Sequence, residues 1–399
     1  MSNIYAALEI GTTRTVLAVG EAESSGRLKV TCHAEIPSTG VRKSQILDIP
    51  QATQSIRSVL REIERRQSSS GDKITIGNAF LAVSGQHVKA DPFTAPVQVE
   101  NARVNDEAIN SVLRAAHTMT LPRDRELLDI VDQDYVVDSM GGIASPRGMS
   151  GRVLSLNTLQ IHADRNRLND ARTAAANAHL EITDPLFAAS CAGDEVLGER
   201  EKQSGALVLD FGGGSTGFAA YCDGYLAHAG VVGVGGDHVT NDIAQAFQTT
   251  QAQAEELKIS AARAALSPDG GDERISLAGT TPLMETRTVS RKALDIVVNA
   301  RLKELLGIIR ENLENADVLH RLRHGAVMVG AGAAMNGLDA LVHRELGLSP
   351  RLGTPLHVDG FGQGAEAASF AAVAGALSYA HRNDDSKSLF QTIFGGFFK

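Results

Sequence analysis

The clearest indication of the fold is the stretch Leu8-Glu9-Ile10-Gly11-Thr12-Thr13-Arg14, because Leu209-Asp210-Phe211-Gly212-Gly213-Gly214-Ser215 repeats its pattern in the second half of the chain. Each copy has an acidic residue two positions before a glycine, with apolar, β-prone residues on both sides. A tight turn of glycine and hydroxyl residues points backbone N–H groups at phosphate oxygens, and the preceding carboxylate can hold a hydrated Mg²⁺. One such hairpin is more often an ordinary β-turn. The paired occurrence predicts two phosphate-binding hairpins on two facing lobes.

Length and composition limit the class of protein. The 399 residues exceed what one hydrophobic core supports, so two or more domains are expected. The mean hydropathy is −0.08, and no apolar run is long enough to predict a transmembrane helix. A net charge of −9 without a basic stripe argues against nucleic acid as a partner. Three cysteines without metal-ligand spacing, and a start that lacks a cationic signal peptide, predict a cytoplasmic protein.

Apolar spacing along the rest of the chain predicts alternating strands and helices. Strands are expected at 4–20 as a hairpin, 27–36, 74–84, 206–229 as a second hairpin, and 326–329. Helices are expected after Pro50, at 107–119 with Asn105 as N-cap, 166–179, 187–203, 237–247, 251–265, 290–315, from about 336, and 364–381. Between 85 and 164 the pattern changes to strands around one helix, which predicts an insert with its own small core. The turn at 330–334 joins a strand to a helix N-terminus and suits a nucleotide.

The C-terminal segment from Ser386 to Lys399 contains four of the chain's 12 phenylalanines. At 100° per residue its large apolar residues fall within one half-circle, and they are Leu389, Phe390, Ile393, Phe394, Phe397 and Phe398. Such a helix either docks on the protein's own core or enters a membrane interface, and the polar stretch before it favours the membrane. Burying six such side chains yields on the order of 8 kcal/mol gross, which the ordering of the peptide opposes. One tail should therefore bind weakly and an array of linked tails strongly.

Finer sequence patterns occur at Val83-Ser84-Gly85-Gln86-His87, at Asp124-Arg125-Glu126-Leu127-Leu128 and at Gly235-Gly236-Asp237-His238-Val239-Thr240-Asn241-Asp242-Ile243-Ala244. Together with the two acid–glycine hairpins and the late glycine turn, they resemble the FtsA family of bacterial cell-division proteins, within the actin, Hsp70 and sugar-kinase superfamily. The resemblance covers almost the whole chain. It implies an α/β, actin-like two-lobed fold of two RNase H-like domains, with an FtsA-type subdomain 1C insert.

The resemblance also implies how the chain is divided. Subdomain 1A would comprise 1–84 and 165–203, the 1C insert 85–164, subdomain 2A 204–237 and 301–363, subdomain 2B 238–300, a connector helix returning to 1A 364–381, a short linker 382–387, and an amphipathic membrane-targeting helix 388–399. A linker this short would hold a filament close to the bilayer.

A site for ATP or ADP with Mg²⁺ between the lobes is implied by the same resemblance. The phosphates would be bound by Gly11, Thr12, Thr13 and Arg14 from one lobe and by Asp210, Gly212, Gly213, Gly214 and Ser215 from the other. Glu9 and Asp210 would hold the Mg²⁺ through water. Glu255 and Lys258 would reach the ribose and adenine. The remaining residues of the implied nucleotide site are Gly235, Gly236, Gly330, Gly332, Ala333 and Asn336.

The function implied is that of an ATP-binding protein that polymerises on the cytoplasmic face of the cell membrane at the division site and anchors the ring of FtsZ, the tubulin-like division protein. Its partners would be other copies of itself, the lipid bilayer, later division proteins through subdomain 1C, and the C-terminal peptide of FtsZ. Arg287, Arg291 and Arg301 are candidates for binding that peptide. No catalytic residue is identified, and at most slow ATP hydrolysis is expected. Two alternatives stay open: a PilM-like ATP-binding platform for pilus assembly, and a small-molecule kinase of the same superfamily.

Overall fold

The structure is a computed structural model that describes residues 4–23, 27–68, 75–118, 120–266, 273–277 and 287–394, with the backbone alone for Arg287 and residues 384–394. Two large sheets define two lobes. Lobe 1 is built on the sheet that contains Ile4–Ile10, and lobe 2 on the sheet that contains Ala206–Phe211. A third sheet belongs to an insert in lobe 1, residues 88–164.

The strands of the first half of the chain, in the described residues, are β1 (Ile4–Ile10), β2 (Arg14–Ala22), β3 (Leu28–Pro37), β4 (Val41–Arg42), β5 (Gln45–Ile46), β6 (Asn78–Val83), β7 (Val88–Gln98), β8 (Arg125–Val137), β9 (Met140–Ile143), β10 (Val153–Asp164) and β11 (Glu181–Phe187). Those of the second half are β12 (Ala206–Phe211), β13 (Thr216–Cys222), β14 (Tyr225–Val232), β15 (Arg274–Leu277), β16 (Arg287–Ser290), β17 (Gly325–Val329), β18 (Pro350–Leu352) and β19 (Val358–Asp359). The α-helices are α1 (Ile49–Ser68), α2 (Asp106–His117), α3 (Arg165–Asn177), α4 (Ala188–Val196), α5 (Glu199–Ser204), α6 (Gly236–Ala246), α7 (Gln251–Ser260), α8 (Arg291–Asn315), α9 (Leu338–Leu346), α10 (Gly364–Ser369) and α11 (Ala371–Phe394).

The two lobes share one sheet topology. In lobe 1 the order is β11-β6-β1-β2-β3, with β19 added beside β3, and in lobe 2 it is β14-β13-β12-β17-β18. In both, the first three strands form an antiparallel meander, a fourth strand pairs in parallel with the first strand, and a fifth pairs in parallel with the fourth. The sequence repeat at the two glycine turns therefore reflects a duplicated domain, which confirms the predicted two-lobed α/β architecture.

Both faces of the lobe 1 sheet are covered by helices, because successive side chains of a strand point to opposite faces. Leu8 and Leu17 pack with the apolar stripe of α1 in one buried cluster. Ala7 and Val16, their neighbours in sequence, pack with Val373 and other residues of α11 in another cluster. The central hairpin of the lobe is thus fixed from both sides, and with it the turn at residues 11–13.

The insert has a core of its own, as the sequence predicts. Its sheet has the order β7-β10-β8-β9, and α2 packs against it through Val112, which is fully buried with Leu154 and Leu156. Asn105 caps α2 by accepting a hydrogen bond from the Ala108 N–H at 2.9 Å. This confirms the predicted cap.

Three predicted helices differ from the observed ones. The helix expected at 187–203 is split into α4 and α5 at Gly198, and the helix expected at 251–265 ends at Ser260. The helix expected at 364–381 breaks at Phe370, and its second part, α11, continues to Phe394. Residues 382–387, expected as a linker, therefore have helical backbone, because Arg-Asn-Asp-Asp-Ser-Lys contains no glycine or proline to end the helix.

Two helices, α4 and α11, pack closely against each other where the chain passes between the lobes. Gly375 of α11 lies against the backbone of α4, and a Cβ atom at this position would stand 1.9 Å from the carbonyl oxygen of Cys191. Beside it, the fully buried Glu195 carboxylate accepts hydrogen bonds from the N–H groups of His357 and Val358 and from the Ser378 hydroxyl, at 2.7, 2.9 and 2.5 Å. This crossing depends on a glycine.

We predict that Gly375→Ala lowers the free energy of unfolding by about 1–3 kcal/mol, because the methyl group forces α4 and α11 apart in a closely packed region. Gly307→Ala is the matched control: it lies within α8, and a Cβ there meets nothing within 4 Å. The control should be neutral or gain about 0.5–1 kcal/mol from helix propensity. Urea unfolding followed by circular dichroism measures both, and equal stability of the two variants would contradict the prediction.

Candidate functional site

A cavity lies between the lobes where the turns of the β1–β2 and β12–β13 hairpins face each other. Residues of both hairpins, of the turn after β17 and of the α10–α11 junction line it. The predicted site residues in its wall are Glu9, Gly11, Thr12, Thr13, Arg14, Asp210, Gly212, Gly213, Ser215 and Gly330. The structure thus brings together the two sets of residues that the sequence predicts as phosphate ligands.

The two turns are built in the same way. The Gly11 N–H donates to the carbonyl oxygen of Arg14 at 3.0 Å, and the Gly212 N–H donates to that of Ser215 at 3.1 Å. A Cβ atom on either glycine would lie 2.8 Å from the same carbonyl oxygen. Glycine is therefore required at both positions by the close approach of the backbone to itself.

Direct hydrogen bonds join the loops around the cavity through two serines that the sequence did not single out as site residues. The Ser44 N–H donates to Thr12 Oγ1 at 2.7 Å, and the Ser44 hydroxyl lies 2.9 Å from the Ser215 hydroxyl. The Ser84 hydroxyl lies 3.2 Å from the same Ser215 oxygen. Ser84 belongs to the quoted stretch Val83–His87 and could have been found from it, whereas Ser44 carries no signal in the sequence. Across the cleft, Gly214 would place a Cβ 2.2 Å from Thr12 Oγ1.

Two carboxyl groups stand at the base of the cavity, one from each lobe. Glu9 ends β1 and Asp210 ends β12, and both are half-buried. Burial raises the pKa of Glu9, against the opposing charge of Arg14. Burial, and then the charge of Glu9, raises the pKa of Asp210 to about 7. Two desolvated carboxylates that repel each other fit a hydrated divalent cation, because its charge would stabilise both in the ionised form.

The Arg14 side chain already has several partners within the chain. Its guanidinium pairs with Glu35 of β3 at 2.5 Å, lies 3.3 Å from the Ser369 hydroxyl and also donates to the Ser369 carbonyl. It stacks over the ring of Phe370 with 5.0 Å to the ring centre. Its predicted contact with phosphate stays a prediction, and its observed contacts connect the first hairpin to the α10–α11 junction.

Residues predicted for the nucleoside lie behind the second glycine turn. Lys258 pairs with Glu255 at 2.6 Å and also donates to the Thr240 hydroxyl at 2.9 Å and to the Gly236 carbonyl at 3.3 Å. The Gly236 N–H in turn donates to the Gly212 carbonyl at 3.0 Å. The start of α6 is therefore hydrogen-bonded both to α7 and to the β12–β13 turn.

The turn after β17 reaches the same place from the other side. Gly330 has φ +82°, and a Cβ on it would lie 2.5 Å from Asp210 Oδ1. A Cβ on Gly332 would lie 3.0 Å from the Cβ of Phe211, and Ala333 is buried. The Asn336 carbonyl accepts a hydrogen bond from the Ala264 N–H at 2.8 Å. The turn is thus packed directly on the acidic residue of the second hairpin.

The predicted peptide-binding arginines already have partners within the chain. Arg291 pairs with Glu273, and Arg301 pairs with Asp242 at 2.6 Å and with Glu304 at 2.6 Å. The side chain of Arg287 lies outside the described residues. In the C-terminal segment only the helical backbone is described at Leu389, Phe390, Ile393 and Phe394, and Phe397 and Phe398 lie outside the described residues. No helix of the described part has the length and apolarity needed to span a bilayer.

Known proteins resemble this chain in sequence and in fold. A family model described as cell division protein FtsA matches residues 207–375, and one described as the SHS2 domain inserted in FtsA matches residues 85–162. The cell division protein FtsA of Pseudomonas aeruginosa is 32% identical over 88% of this chain and 83% of that protein. Among solved structures, the PilM–PilN type IV pilus biogenesis complex gives a TM-score of 0.64 at 19% identity over 94% of this chain and 98% of the other. MreB5 of Spiroplasma citri bound to ADP gives 0.57 at 12% identity over 96% and 98%.

The duplicated sheets and these structural relatives define the class, which is the actin-like two-lobed fold. Within that class the chain belongs to the FtsA family of cell-division proteins, and its insert matches the SHS2 domain that is inserted in FtsA, as the sequence predicts.

We predict that Asp210→Asn changes how stability depends on pH in the absence of divalent cations. Because the pKa of Asp210 is raised from 3.8 to about 7 on folding, the folded protein keeps a proton that the unfolded chain loses, and ionising it costs stability as the pH rises through this range. Asp210→Asn should therefore gain stability over the wild type progressively from about pH 4 to about pH 7. Urea midpoints measured across this range in EDTA test this, and a constant difference between the two proteins would refute it.

Proposed function

We propose that the chain binds ATP or ADP between its lobes, with Mg²⁺, and that the nucleotide joins the lobes into the form that polymerises. The observation that carries this proposal is the pair of glycine turns, closed by the same backbone hydrogen bond, that face one cavity and are each preceded by a half-buried carboxyl group. Backbone N–H groups at such turns bind phosphate oxygens. The ADP bound by MreB5, a solved structure of the same fold, supports the same ligand class.

Each lobe would supply part of the site. Gly11, Thr12 and Thr13 would bind phosphate from lobe 1, and the 212–215 turn from lobe 2, so that the ligand would add to the hydrogen bonds that already cross the cleft. Glu9 and Asp210 would hold Mg²⁺ through water. The positive charge of the ion would offset the negative charge of the phosphates. Glu255 and Lys258 would contact the nucleoside.

Hydrolysis would be slow at most. In the described part of the chain, the titratable side chains that line the cavity are Glu9, Arg14 and Asp210. Two of them are assigned to Mg²⁺, and Arg14 is paired with Glu35. None is left to act as a general base on a water or on a substrate hydroxyl. This lining also disfavours the small-molecule kinase alternative, and the sequence relatives favour an FtsA function over the PilM-like one.

We predict that isothermal titration calorimetry of the wild type shows binding of ATP and ADP that weakens when EDTA replaces Mg²⁺. Glu9→Gln should lose most of this Mg²⁺ dependence, because one of the two carboxylates that hold the hydrated ion is gone. Glu107→Gln, an exposed change on α2 of the insert, is the matched control and should bind like the wild type. The absence of any nucleotide binding by the wild type would overturn the proposal.

The C-terminal segment 388–399 would attach the polymer to the membrane. The backbone of α11 is helical to Phe394, so the sequence spacing of Leu389, Phe390, Ile393 and Phe394 places these residues on one side of a helix. Their apolar side chains suit the interface of a bilayer, and polymerisation would make many weak tails bind together. The protein would thus act at the cytoplasmic face of the cell membrane at the division site.

We predict that the wild type co-sediments with anionic liposomes and does so more strongly with ATP, whereas a protein that lacks 388–399 stays in solution. Ile393→Glu should release most of the protein, because it places a charge on the apolar side of the helix. Thr392→Glu, which adds the same charge on the polar side, is the control and should weaken binding much less. Equal effects of the two substitutions would contradict the amphipathic interpretation.

FtsZ would be anchored through its C-terminal peptide on the surface 238–300, and later division proteins through the insert. Arg291 and Arg301 are paired with Glu273 and Asp242, so an acidic peptide would have to exchange with these carboxylates. Recruitment of purified FtsZ to the same liposomes measures this binding. Recruitment that persists unchanged in Arg301→Glu would exclude this arginine from the peptide site.

A further inference from the structure

A short hairpin of lobe 1, β4–β5, reaches into the space between the two glycine turns. Its turn residues Lys43 and Ser44 both have positive φ, +50° and +57°, although neither is glycine. Such backbone is unfavourable for residues with a side chain and persists where the surroundings hold it, often at functional sites. Here the contacts of Ser44 with Thr12 and Ser215 hold it, at 2.7 and 2.9 Å.

Lys43 lies against the second phosphate-binding turn. A Cβ atom on Gly214 would stand 2.8 Å from the Cα of Lys43, so the residue opposite must be glycine for the hairpin to come this close. The exposed side chains of Lys43 and of Arg42, its neighbour on the hairpin, line a cavity of ≈ 480 Å³ at the mouth of the cleft, and of the two it is Lys43 whose backbone lies against Gly214. The far wall of this cavity is formed by lobe 2, with Asp237, His238, Thr240, Asn241 and Gln251.

The Lys43 ammonium group has no ion pair and no hydrogen bond with any described residue. Its charge reaches lobe 2 nonetheless. Burial lowers the pKa of His238, and the positive charge of Lys43 lowers it further.

Three other cations near the site are paired with carboxylates. Arg14 is paired with Glu35, Lys258 with Glu255, and Arg301 with Asp242. The base of the cavity adds negative charge through Glu9 and Asp210. A nucleoside triphosphate would therefore enter a site whose own acids repel it, and Mg²⁺ together with the cations of the β4–β5 hairpin would have to offset several negative charges.

We propose that Lys43, on the β4–β5 hairpin, is the protein's cation for the terminal phosphate of the nucleotide and makes the site prefer a triphosphate to a diphosphate. This inference rests on the proposed nucleotide binding and adds to it a residue that distinguishes the two ligands. Lys43 belongs to lobe 1 and faces lobe 2, so a phosphate bound by it and by the 212–215 turn ties the lobes together. The cleft would then be closed more firmly by a triphosphate than by a diphosphate.

The test compares the affinities of ATP, ADP and AMP for the full-length protein and its variants, measured with Mg²⁺ by calorimetry or by displacement of a fluorescent analogue. Lys43→Met keeps the length of the side chain and removes its charge, and it should weaken ATP binding about tenfold or more. ADP should be affected much less, and AMP unchanged. Lys43→Arg should restore most of the preference for ATP.

Two further variants distinguish the effect of the Lys43 charge from the effect of its backbone conformation and from the effect of the protein's overall charge. Lys43→Gly removes the charge and places at this position a residue that adopts a positive φ without strain. It should lose the preference for ATP as Lys43→Met does. Lys29→Met makes the same charge change at an exposed site at the far end of β3, and it should bind all three nucleotides like the wild type.

The outcomes distinguish this inference from the proposal on which it rests. If the wild-type protein binds no nucleotide, the proposed nucleotide site itself is refuted. A wild type that binds ATP, together with a Lys43→Met protein that has an unchanged ratio of ATP to ADP affinity, would overturn the role of Lys43 and leave the site standing. A Lys43→Met protein that loses AMP as strongly as ATP would also overturn it, because the residue would then serve the turn and not the terminal phosphate.

Discussion

The structure depends on how closely the backbones of its glycine turns approach each other and the loops around them. Gly214 leaves no room for a Cβ beside Thr12 and Lys43, and Gly330 leaves none beside Asp210. A larger residue at Gly214 would collide with these neighbours and push apart the loops that the hydrogen bond between the Ser44 and Ser215 hydroxyls joins. Because each of these glycines stands at the end of a buried strand, the two cores hold the turns at contact distance.

The base of the cavity is acidic, and two of the cations beside it are paired with carboxylates. Burial raises the pKa of the carboxyl groups of Glu9 and Asp210, so each of them is easier to protonate than a carboxyl group in water. Arg14 forms an ion pair with Glu35, and Lys258 forms one with Glu255. An anionic ligand would therefore need a divalent cation, and the ammonium group of Lys43 at the mouth of the cleft would add to its charge. This arrangement suits a ligand that joins two lobes better than a substrate that is turned over.

The connection from the site to the C-terminal segment is short. Arg14 contacts Ser369 and Phe370 at the junction where α11 begins, and α11 then crosses α4 at Gly375. The buried Glu195 holds the same region through three hydrogen bonds to β19 and its flanking residue and to α11. A change in the distance between the lobes would thus act on a rigidly packed helix whose far end carries the apolar tail residues.

Sequence alone determined what local chemistry dictates: the two glycine turns, the helical stripes, the Asn105 cap and the self-contained insert follow from spacing and residue type. The family resemblance extended this to the residues around the second turn, and it also predicted Arg14 as a phosphate ligand. Tertiary structure decided which side chains remain available, because Glu35 and Ser369 lie far from Arg14 in the chain and only the folded sheet brings them to it. It likewise placed Lys43 and Ser44 between the lobes. Their position results from the packing of two duplicated domains against each other. Local sequence patterns do not predict such packing.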